Sequence, residues 1–488
     1  SRLVLPGVVA LAACGSPQVE VAFVQMNDVY EIGFVSGDTS RLARVAGRTL
    51  ALGDSVDAVI PVLAGDFLSP SALNTAQGDG EPLNGVQMVS VLNVLGLRYA
   101  AVGNHEFDLG EDVFRTRLAE SDFPWLAANL SEEGGVAPLG GVVPWDTIRV
   151  STRRGSFVIG ILGVTMPVGA DETWVDSSDP VEAAVAVFPE VERNSDVQLA
   201  LTHVPYRVDQ EIARRLPGLE LIMGGHEHHA MKLEGGAGSP AITKADSNAE
   251  TVWTHRIVHD LRSGETTVAS TLDTMDARVG ARRRVQTFVN EWYLRAAESF
   301  QALGFEPARL VADVEELDGL RASVRNGSTE LTALIADAMR RCVSRPDVMS
   351  AFNSGSIRVD DIVGPGPLTE YDVLRILPFR NRILELDVSG AELRDFLDRG
   401  RSERARGTGA WLQLAGPVVG EPGAWLVRGA PIGEGRYRIV VPDFVANGGD
   451  GLGLRLTSPG VRLLADRGDM RLAVIGYLRG DPLPSVCD

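Results

Sequence analysis

Lysine is almost missing from this chain. Of 46 basic residues only Lys232 and Lys244 are lysines, every other cation being arginine, a bias that reflects genome composition as much as physics. Positive charge is in short supply overall. The 65 acidic residues leave a net charge of −19, which argues against a nucleic-acid polymer as the main partner. Cysteine is scarce, at three residues: Cys14, Cys342 and Cys487. No segment is long and apolar enough to cross a membrane as a mature helix, and internal repeats and long low-complexity tracts are missing too.

What is present describes an ordinary globular protein, with 44% apolar and 23% charged residues. At 488 residues it is too long for one compact core, so two or more domains are expected. Residues 3–13 are apolar and small, follow Arg2, and run into Leu11-Ala12-Ala13-Cys14-Gly15. That stretch is too short to span a bilayer but suits the apolar region of a secretory signal. Its Leu-Ala-Ala-Cys ending is similar to a bacterial lipobox, in which Cys14 would carry the lipid. The expectation is an exported protein, periplasmic or at the cell surface and lipid-anchored, whose contact with a membrane runs only through that anchor. An export context permits a disulfide between Cys342 and Cys487 without requiring one.

Along the chain, short apolar strands alternate with helical spacing. Strands are expected at 20–24, 59–63 and 99–102, and helices at 41–52 and 86–95, a βαβ rhythm with polar residues at each strand's end. The rhythm resumes with strands at 157–164, 197–202 and 219–223. Strands near 252–261 and 267–272 close this part. Residues 283–303 read as one amphipathic helix, with Val285, Phe288, Trp292 and Ala296 on a common face. Gly304 is placed to cap it, and Pro307 follows. Beyond residue 308, helices at 330–342 and 390–399 sit among short strands and Gly/Pro-rich loops. The expected division is a signal segment at 1–18, a first domain at 19–280, a linker helix at 281–304 and a second domain at 305–488.

The chemistry gathers where the strands end. After the strand at 99–102 come Gly103, Asn104, His105, Glu106 and Asp108. Carboxyl ends of strands are where open α/β sheets keep their ligands. Asn104 offers a hard oxygen to a metal, and His105 can donate a proton or hydrogen bond with Asp108 orienting it. Asp28, Asp66, His203, His226 and His228 also follow predicted strands. Five of the seven histidines lie in these loops. Hard oxygens mixed with imidazoles suit Zn, Mn, Fe or Co. A carboxylate shared by two ions holds them roughly 3.5–4 Å apart for attack on phosphorus.

The order Asn-Asp (27–28), Gly-Asp (65–66), Gly-Asn-His-Glu-Phe-Asp (103–108), Thr-His (202–203) and Gly-His-Glu-His (225–228) resembles the calcineurin-like metallophosphoesterases. Further on, Asn353-Ser354-Gly355-Ser356-Ile357-Arg358, Pro378-Phe379-Arg380-Asn381 and residues 444–451 resemble the nucleotide-binding loops of the 5′-nucleotidase family. The resemblance implies an α/β and α+β protein: an N-terminal four-layer αββα metallophosphoesterase sandwich, a linker helix and a C-terminal substrate-binding domain. It also implies two divalent or trivalent transition-metal ions (Mn, Zn, Fe or Co). Asp28, Asp66 and His228 would hold one ion, and Asp66, Asn104, His203 and His226 the other. His105 and Asp108 would be the catalytic dyad, with a metal-bound water as nucleophile. Phe379 and Phe444 would sandwich a base. Asn353, Gly355, Asn381 and Asp450 would lie around it, and Arg325 and Arg358 would meet oxyanions.

Two positions depart from the family's pattern. Where its first motif has Asp-x-His, this chain has Asp28-Val29-Tyr30. Tyr30 is either a phenolate ligand, which would favour Fe(III), or a space-filling residue that leaves the first site weak. Arg380 adds positive charge to the Phe379-Asn381 loop. The leading expectation is a two-metal phosphohydrolase releasing phosphate from 5′-nucleotides. The alternatives are a phosphatase or phosphodiesterase acting on a sugar phosphate, nucleotide sugar or cyclic nucleotide, or a phosphate-ester binding protein whose turnover Tyr30 has weakened.

Overall fold

The computed structural model describes residues 17–33, 39–78, 80–135, 137–169, 172–236, 238–482 and 487. Cys14 and the signal segment before it lie outside them. The chain forms two compact units, one built from residues 17–33, 39–69 and 86–289, the other from 70–85 and 290 onward.

The first unit holds two stacked sheets. The strand Gln18–Met26 is buried on both faces along most of its length, as a central strand covered from both sides must be. It pairs in parallel with Ala58–Leu63, which is followed outward by Tyr99–Ala101, Trp125–Leu126 and Val142–Val143. On its other side run the antiparallel strands Thr251–Asp260 and Thr266–Thr274. The second sheet has a parallel centre of Gly155–Thr165, Val197–His203, Leu221–Gly224 and Ala241–Lys244. The antiparallel edge strands Trp145–Thr152 and Met231–Leu233 flank it.

Side chains from both sheets interdigitate in one core. Val21, Phe23, Val62 and Ala101 pack with Ile159, Ile161, Leu201 and Met223. Each fully buried aliphatic of this kind contributes roughly 1.5–3 kcal/mol. Helix Arg41–Leu52 covers the outer face of the first sheet, and Pro180–Asn194 and Tyr206–Arg215 cover that of the second. These are the four layers that the family resemblance implies. The helices Arg41–Leu52 and Val86–Leu95 fall where their spacing predicts. The strand at 20–24 is longer, because Val19 and Met26 are also buried and continue its pairing.

The helix Arg283–Ala302 starts in the first unit and ends in the second. The second unit centres on a five-stranded sheet in the order Leu412–Ala415, Met349–Asn353, Arg436–Pro442, Arg382–Ser389, Val461–Asp469. Helix Glu330–Arg341 begins with a capping box between Thr329 and Thr332. Just past its end Cys342 is joined to Cys487 by a disulfide. Among the described residues no helix is long and apolar enough to cross a membrane.

Candidate metal centre and nucleotide loops

Parallel strands put their carboxyl ends on the same edge, and in the first unit both sheets do so. Asp28 and Asp66 follow the first two strands of one sheet. His203 ends a strand of the other, and His226 and His228 follow the next. Four of the ten non-glycine residues with positive φ among the described residues are Asp28 (52°), Asp66 (58°), His226 (89°) and His228 (56°). Left-handed backbone at such residues costs roughly 1–3 kcal/mol each and persists where the surroundings impose it, as at functional sites. Glycines make the approach possible. A Cβ on Gly103 would stand 2.1 Å from Asp66 Oδ1, and one on Gly225 would stand 2.1 Å from the Ala64 carbonyl oxygen.

The donor atoms converge. One oxygen of Asp28, one of Asp66 and a ring nitrogen of His203 all lie within 4.8 Å of one another. His203 Nε2 is 3.2 Å from Asp66 Oδ2, and His228 Nε2 is 3.2 Å from Asp28 Oδ1. The His226 ring packs edge-on against that of His203 at 5.4 Å between centroids, and its backbone N–H donates to Asp28 Oδ2 at 2.8 Å. His203 Nδ1 bonds the Ala64 carbonyl at 2.8 Å, which turns Nε2 toward the carboxylates. Asp28, Asp66 and His203 are almost wholly buried. The Tyr30 hydroxyl sits among them, 2.8 Å from His228 Nε2, 3.2 Å from Asp28 Oδ1 and 3.3 Å from Asp66 Oδ2.

Charge couples the cluster. Burial works against ionisation of both carboxyls. The neighbouring imidazoles outweigh it, His228 and His203 at Asp28, His203 and His105 at Asp66, and hold both below the usual carboxylate range. Burial likewise opposes a charge on His203, but Asp66 and Asp28 overcome it and hold that imidazole up to about 9. Burial, joined by His203, pushes His226 down to about 4.

A metal fits this donor set better than protein hydrogen bonds do. Among the described residues Asn104 Oδ1 is buried with no hydrogen-bond partner, and His203 Nε2 makes no well-formed hydrogen bond despite its nearness to Asp66. Buried polar atoms are rarely left so, and oxygens mixed with imidazole nitrogens are ligands for a borderline transition-metal ion. Beside the cluster, His105 Nδ1 bonds Asp108 Oδ2 at 2.7 Å, and Ser69 Oγ donates to the same oxygen at 3.1 Å. His105 Nε2 faces the cluster, 4.0 Å from Asp66 Oδ2.

Sequence reasoning gave Glu106 no role, yet it ties two of the loops together. Its buried carboxylate accepts from the backbone N–H groups of Asp66, Phe67, Leu68 and Gly103 at 2.6–3.1 Å. Burial, joined by repulsion from Asp66, pushes it up to about 7 against those amides. Asn248 was also missed. Its Oδ1 accepts from the N–H groups of Tyr30 and Glu31 and so fixes the loop carrying Asp28. The one sequence signal for Glu106 was its place inside the Asn-His-Glu-x-Asp cluster. Asn248 had none, because its partners lie 217 and 218 residues away.

In the second unit the predicted loops meet in part. Asn353 Nδ2 donates to Asp450 Oδ2 at 2.7 Å, and Ser356 Oγ to Asn353 Oδ1 at 2.8 Å. A Cβ on Gly355 would stand 3.1 Å from Gly409 Cα. The Arg358 guanidinium lies over the Phe379 ring, 5.3 Å from its centroid. Phe379 and Phe444 are 42% and 44% exposed, against almost complete burial of most phenylalanines here. Phe444 lies on the backbone of Gly449. The Asn381 carbonyl accepts from Met470 N–H, the Arg325 carbonyl accepts from Gly407 N–H, and Arg380 donates to the Thr75 carbonyl at 3.1 Å.

Residues 22–230 match the family described as calcineurin-like phosphoesterase, and residues 310–419 match the 5′-nucleotidase C-terminal domain. The chain belongs to the 5′-nucleotidase family of the calcineurin-like phosphoesterases. It is 25% identical to the bovine 5′-nucleotidase over 453 residues, 81% of this chain and 76% of that protein. It is 24% identical to the trifunctional nucleotide phosphoesterase YfkN of Bacillus subtilis over 75% of this chain, and it spans only 28% of that longer protein. The crystal structure of a 5′-nucleotidase precursor from Thermus thermophilus covers 94% of this chain with a TM-score of 0.67 and 24% identity. Fold and relatives together support metal-dependent hydrolysis of phosphoesters, and family membership implies divalent metal ions.

Proposed function

We propose that this protein hydrolyses 5′-nucleotides to nucleoside and phosphate at a two-metal centre. The observation that carries the chemistry is the convergence of Asp28, Asp66 and His203 on one point, with Asn104 Oδ1 buried and without a hydrogen-bond partner among the described residues in the loop whose His105 N–H donates to Asp66. Asp28, Asp66 and His228 would hold one ion, and Asp66, Asn104, His203 and His226 the other, drawn from Mn, Zn, Fe or Co. When bound, the ions supply Lewis acidity toward the phosphoryl oxygens and lower the pKa of water.

The chain's own groups do the rest. Asp108 holds His105 by Nδ1, which leaves Nε2 facing the cluster, where it would donate a hydrogen bond to a phosphoryl oxygen as negative charge grows on it. Glu106 fixes the Asp66 loop against the Gly103 loop, so bridging carboxylate and dyad keep their separation. The exposed rings of Phe379 and Phe444, with Asn353, Asp450, Asn381, Arg325 and Arg358, suit a base, a sugar and an oxyanion. The bovine and Bacillus relatives, named for nucleotide substrates, support the same class. An exported location follows from the Leu11-Ala12-Ala13-Cys14 segment and is consistent with the Cys342–Cys487 disulfide. Phosphate release should be screened across 5′-nucleotides, sugar phosphates, nucleotide sugars and cyclic nucleotides with added Mn, Co, Zn or Fe. The highest kcat/KM should belong to a 5′-nucleotide. Preference for an ester without a base would contradict the assignment.

Tyr30 favours one variation on this reading. Its hydroxyl bonds three atoms that the first ion needs. A free tyrosine keeps its proton below about pH 10, and a neutral phenol is a poor ligand. We therefore assign the first site as the weaker of the two with divalent ions, and Tyr30→His should tighten it for Mn or Zn. If iron deprotonates the phenol instead, a visible charge-transfer band should appear and vanish in Tyr30→Phe. Two equally tight sites in a colourless protein, indifferent to Tyr30, would exclude both.

A further inference from the structure

Lys244 is one of two lysines in the chain. Lys232, the other, pairs with an exposed Glu234 at 2.8 Å. Lys244 is fully buried at the end of strand Ala241–Lys244. Its ammonium donates to the Val204 and Gly225 carbonyls, each at 2.7 Å, and pairs with Asp209 at 2.8 Å and with Glu227. Val204 follows His203, Gly225 precedes His226, and Glu227 lies between His226 and His228. One cation therefore grips both segments that carry the clustered imidazoles. Around it, Asp209 accepts from Thr202 Oγ1 at 2.7 Å and Glu227 accepts from Tyr206 N–H, so both acids are themselves anchored next to His203.

Space and geometry select lysine here. A Cβ on Gly224 would stand 2.9 Å from Lys244 Cε, so the pocket is filled. An ammonium is a compact point donor that reaches acceptors spread around it, whereas a guanidinium is a wider planar fork. In a chain that uses arginine at nearly every other basic position, lysine stands at the point where the fork would not fit. Neutralising Asp209 alone would explain a buried cation. It would not explain why the two carbonyl bonds fall on the neighbours of His203 and His226.

We propose that Lys244, with Glu227, is a positioning group for the metal centre. It sets the spacing between His203 and the His226–His228 loop, and through it the affinity for the ion that His203 and His226 would hold. This rests on the two-metal reading above. Groups beyond the ligands that orient them are typically worth 10–100-fold in metal affinity.

The test is a competition titration of the intact chain with Zn²⁺ or Mn²⁺ against a chelating indicator, alongside thermal melts. The proteins are wild type, Lys244→Gln, Lys244→Arg, Glu227→Gln and Leu393→Ala, a core change in the other unit. Lys244→Gln should weaken binding about 10–100-fold, Lys244→Arg should not restore it, and Glu227→Gln should show a smaller loss. Leu393→Ala should lower the melting temperature and leave affinity alone, separating positioning from general stability. If the Lys244 variants do not fold, Glu227→Gln decides, and wild-type affinity there overturns the proposal. Tight wild-type binding that survives every substitution at Lys244 and Glu227 overturns it while leaving the metal reading intact. A wild type that takes up no ion overturns both.

Discussion

The first unit's polar cluster and the second unit's polar loops are built in opposite ways. Around Asp28 and Asp66 nearly every group is buried and cross-tied: Glu106 takes four backbone amides, Asn248 takes two, and His105 is held by Asp108. Around Phe379 and Phe444 the rings stand open to solvent, with Arg358 lying over Phe379 and Asn353 bonded to Asp450. Charge stabilisation in a reaction needs donors fixed before the charge develops, which accounts for the first design. A stacking surface needs access and apolar area, and tolerates exposure, which accounts for the second. Substitutions in the first region should therefore act on metal and turnover, and in the second on substrate affinity.

The largest effect is expected at Asp66, the carboxylate that both ions would share. Asp66→Ala should lose both ions by elemental analysis and drop turnover to background, and unchanged metal content would break the shared-ligand assignment. Next comes His105→Asn. It should keep both ions and substrate affinity while kcat falls roughly 10²–10⁴-fold, the range for such acid–base or hydrogen-bonding groups. A change in KM alone would move His105 from chemistry to binding. Phe444→Ala should raise KM for a nucleotide about 5–150-fold, since base stacking on an aromatic is worth about 1–3 kcal/mol. It should leave a base-free phosphate ester unaffected. Equal loss on both substrates would blur the division between the regions.

The last prediction concerns pH. The carboxylates Asp66 and Asp28 outweigh burial and hold metal-free His203 up to about 9, so binding an ion below that pH must expel its proton. Metal affinity should therefore rise with pH and level off near 9 in a titration series. Affinity independent of pH from 6 to 9 would mean that His203 is not a ligand.

Much of this was legible in the sequence because the signals were local. Arg41–Leu52 and Val86–Leu95 carry helical spacing, and Asp28, Asp66, Asn104 and His203 each follow an apolar run that reads as a buried strand. What the sequence hid was long-range. Asn248 reaches Tyr30 across 218 residues and Glu106 reaches Phe67 across 39. Lys244 gained meaning only once two loops met around it. Tyr30 was visible as a departure, but that its hydroxyl would touch Asp28, Asp66 and His228 at once required the folded loop.

The most direct test is a crystal structure of the intact chain grown with Mn²⁺ and a non-hydrolysable 5′-nucleotide analogue, with anomalous data collected at the metal edge. The account predicts two anomalous peaks roughly 3.5–4 Å apart, both in contact with Asp66, with His105 Nε2 at the phosphoryl group. No ion at Asp66, or a nucleotide bound away from these residues, would contradict it.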